Sequence, residues 1–155
     1  MSATLAVRGE ERELALSEVE AVRSAVSEGD YRARLDAISA ALEDGGSVDA
    51  EDATELERLV TIALQSGRAR ALYGPGGEQA LLRLYRRLPG GIEARESATA
   101  VSEALSQLTG KPLERVSLTA VGPGSHSLAL EAGGLRFLVH LDRNGARLAS
   151  VEASG

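Results

Sequence analysis

The stretch from Leu128 to Val151, LALEAGGLRFLVHLDRNGARLASV, decides the fold. Leu128 and Leu130, then Leu135, Phe137, Val139 and Leu141, then Leu148 recur at a period of two, the mark of strands with one buried face. Two turn signals interrupt the alternation. With Gly133-Gly134 as a two-residue turn, Leu130 stands opposite Phe137 and Leu128 opposite Val139 on the inner face. Glu131 then faces Arg136 on the outer one, a favourable cross-strand charge pair. Asn144-Gly145 is the strongest short hairpin signal, and as the centre of a second turn it sets Leu141 opposite Leu148 and Asp142 opposite Arg147. Both turns give matched apolar and charged pairs. Upstream, Val116, Leu118 and Ala120 continue the same face from Leu113, so the spacing predicts a four-stranded antiparallel meander. The same register brings Ala129, Leu138, Ala149 and Val151 together on the other face. An apolar strip of that kind is expected to lie under the N-terminal helices or under a partner.

Before the meander the period is helical. Ser97 to Thr109 places Val101, Leu105 and Leu108 on one side and ends at Gly110 and Pro112, a helix suited to cover the inner sheet face. Further back, Thr4 to Val7 reads as a short extended piece. Ser17 and Glu20 have capping-box spacing ahead of Val22 and Val26, with Gly29 as the stop. Asp30 is read as the cap of a helix striped by Tyr31, Leu35, Ile38 and Leu42 and closed by Gly45-Gly46. Asp49 caps a third helix, to about Ser66, whose face is Ala53, Leu56, Leu59, Val60, Ala63 and Leu64, with Ile62 opposite. A turn or two from Arg68 to Tyr73 precedes a helix over Glu78–Leu88, stopped by Pro89-Gly90-Gly91. The fold class is therefore α+β: a helical subdomain over 1–91 with about four helices, then a helix on a four-stranded antiparallel sheet over 92–155. The 64 residues after Gly91 would be marginal alone, so they are expected to dock on the helical part with Gly91 as a hinge.

Composition narrows function more than it names it. The chain has no cysteine, which removes disulfides, thiolate metal sites and cysteine nucleophiles. No apolar run reaches membrane-spanning length, and the N-terminus lacks a secretory pattern, so a cytoplasmic protein is expected. The net charge of −6 opposes general affinity for nucleic acid, whose phosphates dominate such binding. That charge is uneven. Residues 9–57 carry 15 acids against four arginines, whereas 58–91 carry six arginines against Glu78 alone. The two regions are complementary, within one chain or between chains.

Three motifs invite chemistry. Gly74, Gly76 and Gly77 precede a helix, where backbone N–H groups converge on anions. The Walker ending Gly-Lys-Ser/Thr is missing, however, and Glu78 places its own carboxylate in the first turn, so the stretch reads as a glycine-rich turn. His126 sits between Ser125 and Ser127 and His140 on the outer sheet face, but no nucleophile elbow or carboxylate pair accompanies them. Catalytic residues and metal ligands are therefore not assigned, and no cofactor is expected. Arg83, Arg86 and Arg87 cluster opposite an apolar arc, with Arg68 and Arg70 just before them. Guanidinium forks suit carboxylates or phosphates, although such a stripe is usually a solvated face.

These observations favour a small non-enzymatic protein-interaction or assembly module, with a protein partner or self-association. The candidate contact residues are Arg68, Arg70, Arg83, Arg86, Arg87, Leu138 and Val151. The alternatives are a small-molecule ligand held between sheet and helix and, third, a nucleic-acid-associated regulator using the arginine patch.

Overall fold

The computed structural model describes residues 4–153, and the fold is α+β. Two compact units divide the chain, Met1–Gly91 and Ile92–Gly155. In the first, strands β1 (Leu5–Ala6) and β2 (Ser47–Val48) pair antiparallel beside helices α1 (Gly9–Ala25), α2 (Asp30–Glu43), α3 (Ala50–Gln65) and α4 (Arg68–Tyr85). Helix α5 (Pro89–Leu105) follows, then a 3-10 turn (Ser106–Leu108) and strands β3 (Leu113–Gly122), β4 (Ser125–Ala132), β5 (Leu135–Asp142) and β6 (Gly145–Ala153).

The helical unit builds a saturated core. Val7, Val19, Leu35, Ile38, Leu42, Leu56, Val60 and Leu84 are fully buried, as the 3.6-residue spacing predicts. Asp49 caps α3 as expected, its side chain accepting from the Asp52 N–H at 2.9 Å. Gly46 is required twice: its φ of +72° suits glycine, and a Cβ there would collide with the Val7 carbonyl.

Several helix bounds differ from the sequence reading. α1 begins eight residues before Ser17, with Glu10 and Glu11 in its first turn complementing the helix dipole. Ser17 is an interior residue whose hydroxyl donates to the Glu13 carbonyl at 3.1 Å, a back-bond that competes with capping. The cap of α2 is Gly29, and Asp30 is the first helical residue. The expected division of Arg68–Tyr85 into two helical pieces is present: Gly74, with φ of +69° and ψ of −177°, is not helical and separates them ahead of Pro75. Pro89-Gly90-Gly91 starts a helix instead of forming a stop. Proline lacks the N–H that a first helical position leaves unpaired anyway, and Glu57 of α3 accepts from the Gly90 N–H at 2.7 Å.

In the second unit the meander has the order β3-β4-β5-β6 and packs against α5. The β4–β5 pairing is the expected one: Leu130 faces Phe137, Leu128 faces Val139, and Glu131 faces Arg136. Gly133 and Gly134 hold φ of +58° and +76°, the double positive that a tight two-residue hairpin demands.

The last hairpin departs from expectation. Asp142 pairs with Gly145, so Arg143 and Asn144 form the turn, and Leu141 faces Ala146, not Leu148. Asp142 fixes this choice by accepting from the Asn144 N–H at 2.8 Å. Asp142 and Arg147 are no longer directly opposite, yet still form an ion pair at 2.7 Å. A second irregularity follows. Val139 faces Leu148 but Leu138 faces Ser150, so Ala149 is a bulge residue and the alternation changes phase. Val151 thereby moves to the inner face opposite Phe137. The expected four-residue strip reduces to the Ala129–Leu138 pair.

Candidate functional site

The arginines of 68–87 are largely engaged by the chain's own acids. Arg87 donates to Glu11 at 2.7 Å and also to the Ala6 carbonyl, while Arg83 reaches Glu10 at 3.4 Å and Glu11 at 3.8 Å. Arg70 pairs with Glu78 at 3.4 Å, and Arg68 meets Glu18 at 3.3 Å. Three acids of α1, Glu10, Glu11 and Glu18, thus pair with Arg68, Arg83 and Arg87 of the basic stretch. Among the described residues Arg86 is the member of this group without a carboxylate partner.

Glu18 is the most consequential of these acids. It is only 4% exposed, and Tyr73 donates to it at 2.5 Å. Burial, then the hydrogen bond to Glu18, pushes the Tyr73 phenol above its ordinary range. A Cβ on Gly77 would strike Tyr73. The glycine-rich stretch therefore serves a kink and a close approach. A second network joins α2 to α3: Tyr31 donates to Glu55 at 2.8 Å, and Arg58 contacts both. Burial works against the Glu55 carboxylate, but the donors Arg58 and Tyr31 outweigh it and hold Glu55 below its usual range. Both networks are satisfied within the fold.

The two histidines lie on opposite sheet faces. His126 pairs with Leu141 in the inner register, and His140 pairs with Ser127 in the outer one. Both are exposed. They contribute, with Val121, Ser125, Asp142 and Arg147, to an open cavity of about 240 Å³ at the turn end of the sheet. Of the charged groups there, Arg147 and Asp142 are bound to each other. Among the described residues, no three His, Asp or Glu side chains converge as a metal site would require, and no helix is long and apolar enough to cross a membrane.

The least satisfied surface is the inner face of the sheet. Its central columns are covered, with Phe137 and Val139 buried. Its flanks are not. On β3, Leu113, Val116 and Leu118 are 54–62% exposed, and on β6 Leu148 and Val151 are 37% and 44% exposed. The cause is legible in α5, whose inward side offers Ala94, Val101, Ala104 and Leu105, a narrow stripe of which Val101 alone is buried. Of the two apolar residues singled out beforehand, Val151 joins this surface, whereas Leu138 is half-buried on the other face. Val116, Leu118 and Ala120 were read as inner-face residues, and the signal against their burial was the thin apolar content of the covering helix.

Compared with known protein families, curated proteins and solved structures, the chain matches none, and its function rests on its own residues.

Proposed function

We propose that the chain is a non-enzymatic protein-interaction or assembly module that binds through the flanks of its sheet, self-association being one form. One observation carries this reading: the exposed apolar side chains Val116 and Leu118, which share one face along a sheet edge. Scattered apolar residues are ordinary on a protein surface, but contiguous ones mark contact sites. The five arginines are secondary, because four are held by Glu10, Glu11, Glu18 and Glu78 and have little charge left for phosphates. The experiment places a photoreactive residue at position 118, and separately at the exposed Glu93 of α5, in full-length protein within its native cells. A discrete protein adduct from position 118, absent from position 93, supports the reading. No adduct, or the same adducts from both positions, overturns it.

A further inference from the structure

We infer that two copies of this chain join through their β3 strands, antiparallel about a two-fold axis, to make one eight-stranded sheet. This rests on the proposed interaction role and names its partner. The first ground is what a sheet edge offers. Alternate residues of β3 turn their N–H and C=O groups away from β4, and among the described residues no strand lies on that side. A row of unpaired main-chain donors and acceptors fits an extended strand better than any other occupant.

The second ground is the contrast between the two edges. Natural sheets blunt their edges with bulges, charges or proline. β6 is blunted: Ala149 bulges from its middle, with Arg147 and Glu152 to either side. β3 is regular from Arg115 to Ala120, its irregularities confined to its ends, and residues 116–121 hold neither charge nor proline. The third ground is closure. Pairing β3 with β6 of a neighbour leaves both kinds of edge free and grows without limit, whereas β3 on β3 consumes the open edge in one step. Two blunted edges remain outside.

The fourth ground is the strand's match to itself. With Leu118 on the axis, Ser117 faces the partner's Thr119 and Val116 faces the partner's Ala120, each pair occurring twice. Hydroxyl pairs and apolar pairs are both favourable across strands, and Arg115 meets the partner's Val121, so like charges are not opposed. The apolar face of the sheet then runs on unbroken between copies.

Light scattering on the full chain should give twice the 16.2 kDa monomer mass over a wide concentration range. Leu118→Lys and Leu118→Glu should each halve that mass, because like charges meet on the axis. An equal mixture of the two should restore it, because unlike charges then meet. Leu148→Lys, on β6, should keep the doubled mass. Circular dichroism matching the parent accompanies each variant, and the exposure of Leu118 makes that match expected. A parent that is monomeric at every concentration, or charge variants that keep the doubled mass, overturns the inference. So does a dimer split by Leu148→Lys and not by Leu118→Lys, although that outcome leaves self-association standing. A monomer that still gives a specific position-118 adduct overturns the second copy as partner and leaves the interaction role intact. A monomer with no adduct ends both.

Discussion

The helical unit and the sheet unit solve the same problem to different degrees. In Met1–Gly91, apolar faces meet on every side of a shared core, and charges are matched across long sequence distances: Glu18 with Arg68, 50 positions apart, and Glu11 with Arg87, 76 apart. In Ile92–Gly155 the core is two strands wide, and its ion pairs are local, Asp142 with Arg147 being five positions apart. The first unit buries its main apolar faces, leaving Ile62 and Leu72 exposed. The second stops short, because one helix with a thin apolar stripe cannot cover four strands. The proposed interaction role therefore rests on the unfinished core and not on the charge cluster, whose members are mostly paired within the fold.

The largest expected effects test that difference in core width. Phe137→Ala empties the centre of the covered columns, where the ring is fully buried, and should cost about 3–5 kcal/mol. Leu56→Ala in the helical unit should cost about 2–5 kcal/mol. Urea unfolding of both variants measures the losses. Hydrogen exchange locates them, with Phe137→Ala deprotecting β4 and β5 first. A loss under 1 kcal/mol for Phe137→Ala would mean the sheet has no packed centre.

Next comes the buried acid. Glu18→Ala leaves the Tyr73 hydroxyl without its acceptor at a site of low exposure, at a cost of about 1–3 kcal/mol. Tyr73→Phe in the Glu18→Ala background should then cost much less than in the parent, because the two act as one pair. Additive losses in the four-member cycle would separate them.

Legibility in the sequence followed the range of the cause. Leu130 against Phe137 was readable because Gly133 and Gly134 fix the register locally. Asp49 was readable because its acceptor and donor lie three positions apart. Ser17 misled because serine followed three residues later by glutamate also occurs inside helices. Pro89 misled because proline both ends helices and begins them, and the deciding carboxylate, Glu57, lies 33 positions away. The Ala149 bulge had no local signature, and one extra residue carried Val151 to the opposite face. The partners of Arg68, Arg83 and Arg87 come from α1 and required the fold. The exposed flank of β3 required it too, although the small side chains of α5 gave a partial warning.

Acid should act through named carboxylates in both units. Glu55 is held below its ordinary value of 4.5 and Asp142 below 3.8. For Asp142 the largest cause is the Asn144 N–H, followed against burial by Arg147. A carboxylate depressed in the folded state favours folding above its unfolded value, and the benefit fades as pH falls through the folded value. Stability should therefore decline below about pH 4.5, with a shallower slope in Glu55→Gln. Unfolding midpoints measured between pH 6 and 2 check the sign. A steeper slope in Glu55→Gln would contradict the assignment.

The smallest effects separate long-range charge pairing from local pairing. Arg87 joins Glu11, whose side chain is only 15% exposed, and also reaches the Ala6 carbonyl across the fold. Arg87→Ala should cost about 1 kcal/mol, the upper end for a partly exposed pair. Arg147 joins a neighbour on its own hairpin with 62% of its side chain in solvent, and Arg147→Ala should cost about 0.2–0.5 kcal/mol. Asp142→Ala should exceed Arg147→Ala, because Asp142 also holds the Asn144 N–H that sets the turn. Urea midpoints rank the three, and salt should compress the Arg147 difference first. If Arg147→Ala proved the most costly, the last hairpin would depend on its ion pair instead of its turn.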